Sequence, residues 1–247
     1  MSNIFPSYRN LQTILFLRII WIFWVDTTEN LGLKHIFTHA DEAVYEKLLH
    51  IIWNHGDYYK NVIPLMGGFH QVMVMQKIIY KRHGCMEHKK WFEDSKIIAA
   101  GSVEKAIEGR HYYRCMRIHK EAFEAIVQTR VESLTSNYEE INSELLSELR
   151  ELRCNPSADI LERIVDMDEY QTLKTEIVKV NGTQSKMTLQ YLKDVSLMLS
   201  FVAGARESDI NLHLQAEEKI LKMVFAFDHV NYARYNSYQH LILCQEK

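Results

Sequence analysis

Two short apolar runs bracket one amphipathic stretch near the start of the chain, and this pattern limits the fold more than anything else in it. "KHIFTHAD" (34–41) and "KNVIPLM" (60–66) are flanked by turn residues and read as strands. Between them, "EAVYEKLLHIIWNHG" (42–56) reads as a helix, with Val44, Leu48, Ile51 and Ile52 on one face and Gly56 after its end. Strand, helix, strand is a βαβ unit, which implies a parallel pair joined by a right-handed crossover.

From about Ser102 onward the period is helical. Val127, Val131, Leu134, Tyr138, Ile141, Leu145, Leu149 and Leu152 recur every three or four residues, as on one long helix packing along a partner. Pro156 ends that stripe, three amphipathic segments follow near 158–180, 186–206 and 209–226, and a last helix starts near Asn231. Nine Gly and three Pro in 247 residues are too few for a turn-rich all-β fold. The expected architecture is therefore mainly α with a small α/β part. Its segments are an apolar N-terminal stretch (1–34), the α/β part (35–101) and a helical part (102–247).

The N-terminal stretch contains "LQTILFLRIIWIFWV" (11–25), strongly apolar but with Arg18 in its middle. A spanning helix needs roughly 20 apolar residues without a central charge. A buried core segment is the expectation, with a membrane anchor, favoured by Trp21 and Trp24, as the alternative. A net charge of −3 gives no global attraction to nucleic acid. The four cysteines stand far apart, which argues against a zinc module or disulfide framework and fits a reducing, intracellular compartment, nuclear or cytoplasmic.

Asp41 follows the first expected strand and His70 follows the second. Residues just past the ends of parallel strands line the crevice where ligands bind, and carboxylate oxygen and imidazole nitrogen both suit a divalent metal. The same two residues also read as a helix cap and a turn histidine. "KRHGCMEH" (81–88) gathers His83, Cys85 and His88 without a partnering group elsewhere; His111 and His119 are eight apart, and His213 stands alone beside an apolar stripe. Arg110, Arg114 and Arg117, with Lys120, form a basic strip at helical spacing that could contact phosphates, although a solvated face with the tyrosines packing inward is the commoner use of such a pattern. No phosphate-binding glycine motif and no nucleophile elbow occur.

Four ordered pieces carry a family resemblance: "DEAVYEKLLHIIW", "LMGGFHQVM", "IIAAGSVEKAIEGRHYYRCMRIHKEAFEAI" and "LHLQAEEKILKMVFAFDHVNYARYNSY". Together they resemble a group of uncharacterised animal proteins associated with transposons, over roughly 35–128 and 196–240. The order Asp41, helix, strand, "GGFH" also resembles, more weakly, the RNase H-like core of cut-and-paste transposases. That likeness implies a truncated RNase H-like core with a large helical insertion. It also implies catalytic roles for Asp41 and His70, a third acid at Glu207 or Asp209, and Mg²⁺ or Mn²⁺ on Asp41 if the site is active. In such transposases three carboxylates hold two metal ions at a DNA phosphodiester.

This chain departs from that pattern. Asp26 is the only Asp upstream of Asp41, Glu42 stands where the resemblance expects Gln, and Asn211 stands where it expects Trp. An incomplete triad cannot hold two metals. The expectation is a catalytically inactive, transposon-derived protein without a cofactor, acting by binding DNA, a helical protein partner or a second copy of itself. A metal-dependent nuclease or transposase fragment and a helical interaction module are the alternatives.

Overall fold

The computed structural model describes residues 8–84, 87–94, 101–102, 111–137, 143–155, 158–178 and 182–245. Strand β1 (Ile36–Ala40) and strand β2 (Val62–Met66) pair in parallel, from Ile36 opposite Val62 to Ala40 opposite Met66. Helix α2 (Glu42–Asn54) makes the crossover between them. Its start is fixed by Asp41, whose Oδ1 accepts the Val44 N–H at 2.9 Å. Tyr45, Leu48, Leu49 and Ile51 form its buried face, and its last turn closes where the His55 N–H reaches the carbonyls of Ile51 and Ile52. The sheet has two strands among the described residues, so the missing N–H of Pro64 in β2 falls where a ladder need not continue. The βαβ unit is thus where the sequence puts it, in a chain that is otherwise mainly helical.

The chain divides into two compact units. The first joins 1–78 and 108–110 to 197–247, and the second holds 79–107 and 111–196. The division crosses the boundary expected near residue 101, because the C-terminal helices belong to the same unit as the strands.

In the first unit, helix α1 (Tyr8–Asn30) precedes β1 and helix α3 (Gly68–His83) begins just past β2. The N-terminal segment is not the buried core segment expected. Trp21, Val25 and Thr28 face inward, with the Trp21 ring 5.5 Å from that of Tyr59. Leu15, Phe16, Ile19 and Phe23 are 59–64% exposed. A helix apolar on every side can lay only one stripe against its neighbours, and the rest of its surface stays uncovered. No described helix is long and apolar enough to cross a membrane.

Later, Ile210–Ala226 and Val230–Gln245 form two helices of the first unit. The second of these meets α2 through the Tyr45–Tyr235 ring pair at 5.3 Å and a hydrogen bond from Trp53 Nε1 to the Tyr238 hydroxyl at 3.3 Å.

The second unit contains the end of α3, from Ile79, then α4 (Glu87–Asp94), α5 (Tyr112–Asn137), α6 (Ser143–Cys154), α7 (Ala158–Asp166), α8 (Asp168–Val178) and the first part of α9 (Thr183–Arg206). The helices that follow in the first unit are α10 (Ile210–Ala226) and α11 (Val230–Gln245). The stripe expected along one helix from Val127 to Leu152 instead runs over α5 and α6, and residues 138–142 lie outside those described. Leu145 is buried with Ile160 and Ile164, and Leu152, Met167 and Tyr170 pack around them. Leu145 and Leu152 are therefore part of a core rather than of a docking surface. The segment near 158–180 is also two helices, broken at Met167, after which Asp168 and Glu169 supply an acidic first turn that suits a helix N-terminus.

Candidate functional site

The residues singled out beforehand are mostly engaged in local structure. Asp41 caps α2, and Asp209 caps α10 by accepting the Leu212 N–H at 3.0 Å. Glu207 is exposed just beyond α9, its N–H bonded to the Ala203 carbonyl at 2.9 Å. His70 is half-buried in the first turn of α3, its ring edge-on to Phe69 at 5.5 Å. Asp26 lies on a helix rather than on a strand beside β1. Among the described residues, no group of three or more His, Cys, Asp or Glu side chains is placed to hold a metal ion.

Arg110 and Cys85 lie outside the described residues, and so does the side chain of His88. Arg114, Arg117 and Lys120 are exposed on α5. Glu121 meets Arg117 at 2.6 Å, and Glu124 meets Lys120 at 3.8 Å. Each pair stands one turn apart on the helix, so the strip carries much less net charge than its arginines and lysine suggest.

What the first unit does present is a cavity of about 510 Å³ beside the strands. Phe37, Leu65, Ile210, Leu214 and Leu243 give it apolar walls, and Gly68 lines it where α3 begins. His39, Ser208, His213 and Gln239 are its polar lining. Gly204 brings α9 against α10 here: a Cβ at that position would stand 2.6 Å from the His213 nitrogen. This close approach seats His213, whose Nδ1 is 3.1 Å from the Phe201 carbonyl and whose ring lies 4.2 Å from that of Phe201. Burial pushes the His213 imidazole below its ordinary pKa; the Phe201 carbonyl opposes this and nearby His39 adds to it.

A buried polar layer adjoins the cavity. Gln239 Oε1 accepts the Met66 N–H at 2.6 Å, and Gln239 Nε2 donates to Glu217 Oε1. Gln71 Nε2 donates to the Met66 carbonyl at 3.3 Å, and Asn236 Nδ2 donates to Gln71 Oε1 at 3.2 Å. These amides satisfy the end of β2 inside the protein. Glu217 Oε2 makes no hydrogen bond, and burial pushes the carboxyl up to about 7, against an opposing pull from Gln71. The Tyr45 hydroxyl is likewise buried without a partner, and burial followed by the Tyr238, Glu217 and Tyr235 charges raises its pKa. Sequence reasoning passed over Glu217 and Gln239. The available signal was that Leu214, Glu217, Ile220 and Val224 continue one buried helical stripe, with a carboxylate standing where an apolar residue belongs.

The second unit holds its own polar network. Asp194 accepts from His83 Nε2 at 2.7 Å, from Gln190 Nε2 at 2.9 Å and from Arg82 Nη1 at 3.2 Å. Burial alone would raise the Asp194 pKa, but these hydrogen bonds and the Arg82 charge bring it below the ordinary value. His119 Nδ1 meets the Tyr191 hydroxyl at 2.9 Å. Cys115 is buried and burial pushes its thiol up to about 12, so it is no nucleophile at neutral pH.

A sequence family described as a domain of unknown function, DUF8702, matches residues 10–244. The chain belongs to this family. The match takes in most of α1 and residues 130–185 as well as the strands, so the DUF8702 domain covers both units. No curated protein and no solved structure gives a match. Within the DUF8702 domain, the cavity beside β1 and β2 has the size to hold a small molecule. The acids at the ends of the strands and helices serve the backbone instead.

Proposed function

We propose that the chain is a transposon-derived protein that no longer performs phosphodiester chemistry and acts through protein–protein contact. The observation that carries this reading is the use of Asp41 as the N-cap of α2. A carboxylate that accepts a backbone N–H in the first turn of a helix is held by that bond. Asp209, a candidate third acid, is held in the same way at α10. A two-metal mechanism needs three carboxylates converging on one point, and the RNase H-like ancestry survives here as a single βαβ unit.

Between the binding partners that the sequence left open, the surface favours protein. The basic strip on α5 is partly neutralised by Glu121 and Glu124, whereas α1 exposes a continuous apolar face. Exposed apolar area of this kind marks contact surfaces more than nucleic-acid surfaces. Titration calorimetry with Mg²⁺ and with Mn²⁺, on the wild type and on Asp41→Ala, tests the loss of chemistry. The expected result is no binding to either protein. Binding to the wild type that disappears in the variant would restore the metal-dependent nuclease.

A further inference from the structure

We propose that the cavity beside β1 and β2 binds a small, uncharged aromatic compound carrying one hydrogen-bond donor, of the indole or phenol class. The volume of about 510 Å³ lies within the range of small-molecule sites. Its position is also the one that parallel strands favour, near their carboxyl ends.

Charge selects against ionic ligands. No Asp, Glu, Lys or Arg lines the cavity, so an ion entering it would lose water without gaining a counter-charge. The apolar walls (Phe37, Leu65, Ile210, Leu214 and Leu243) favour a flat hydrocarbon body, and the Phe37 and His213 rings offer it an aromatic surface.

The polar specificity follows from one tautomer. A carbonyl oxygen only accepts, so the nitrogen of His213 facing the Phe201 carbonyl must carry its proton. In the neutral imidazole the other nitrogen, Nε2, is then an acceptor, on a side chain that lines the cavity. Gln239 cannot take this role with its oxygen, which already holds the Met66 N–H. The ligand group that completes His213 is therefore a donor, an N–H or an O–H, while His39 and Ser208 can each donate or accept.

The full chain, titrated with indole and with benzothiophene, tests this by calorimetry. The two probes share a bicyclic shape, and only indole has the N–H. Indole should bind one-to-one and more tightly than benzothiophene. Leu243→Trp, at a half-buried position on the cavity wall, should abolish binding of both by filling the space. His213→Phe should weaken indole about fivefold to tenfold, the value of one neutral hydrogen bond, and leave benzothiophene unchanged. Circular dichroism on both variants establishes that they are folded. The proposal is overturned if indole shows no saturable binding, or if binding survives Leu243→Trp. It is also overturned if the preference for indole persists in His213→Phe. Zn²⁺ binding that requires His213, in the absence of indole binding, would identify a metal site instead.

Discussion

Glu217 and Asp41 are both carboxylates, and their surroundings give them opposite properties. Asp41 is exposed and serves a helix end; Glu217 is 1% exposed, with one oxygen unpartnered. Burial moves the Glu217 pKa from 4.5 to about 7 in the folded protein. Between those values the unfolded chain has released the proton while the folded chain keeps it, so folding weakens as pH rises. The stabilising contribution is complete below about pH 4.5 and gone above about pH 7, a change of ~3 kcal/mol. Replacing Glu217 with Gln should flatten that part of the profile. Urea denaturation of wild type and Glu217→Gln at pH 5 and pH 8 measures it, and an equal difference between the proteins at both pH values would refute the assignment. Asp41 was legible as a cap because the signal is local: a short acid just before an amphipathic run. Glu217 and His213 were not, because their character depends on what α9 and α11 bring around them. A lone histidine beside an apolar stripe has no local sign that Gly204 will seat its ring on Phe201.

At the scale of elements, the βαβ unit was legible because period and punctuation agree over a short span. The long stripe from Val127 misled for a related reason, since its period runs on over residues that belong to two helices, α5 and α6. The glycines of "GGFH" serve packing rather than an unusual backbone turn. Neither Gly67 nor Gly68 adopts positive φ; a Cβ on Gly67 would lie 3.1 Å from the Ala40 carbonyl, so this position permits close approach rather than an unusual turn. Gly204 is the stronger case, because the atoms a Cβ would meet, at 2.6 and 2.9 Å, belong to the His213 backbone. Gly204→Ala should force α9 and α10 apart and cost roughly 1–3 kcal/mol. Gly68→Ala faces only the Phe201 ring at 3.6 Å, an ordinary contact, and should be neutral or slightly stabilising. Thermal denaturation of the two variants compares them directly; equal losses at both positions would contradict this account.

For the molecule as a whole, the exposed apolar face of α1 is the surface that governs assembly. Leu15, Ile19 and Ile22 follow one line along the helix at spacings of four and three, and Phe16 and Phe23 flank it. A second copy suits this face. A parallel pair would set Asp26 against Asp26, whereas an antiparallel pair centred on Ile22 sets Arg18 of each copy near Asp26 of the other. Both residues are four positions from that centre. Sedimentation velocity should therefore find a dimer for the wild type and a monomer for the Ile19→Lys, Phe23→Lys double variant, with unchanged helix content. A monomeric wild type at micromolar concentration would exclude this arrangement.

The hydrogen bond between Gln239 and the Met66 N–H spans 173 residues. At a synthesis rate of ~5–20 residues per second, roughly 10–35 s pass between the making of Met66 and the making of its partner. All of the second unit is translated within that interval. Through the whole of it, the end of β2 is in the cell without the amide that later seals it. A ribosome stalled before α11 would hold a chain whose strands lack that seal, which makes the last helix of the sequence a late condition for finishing its first fold.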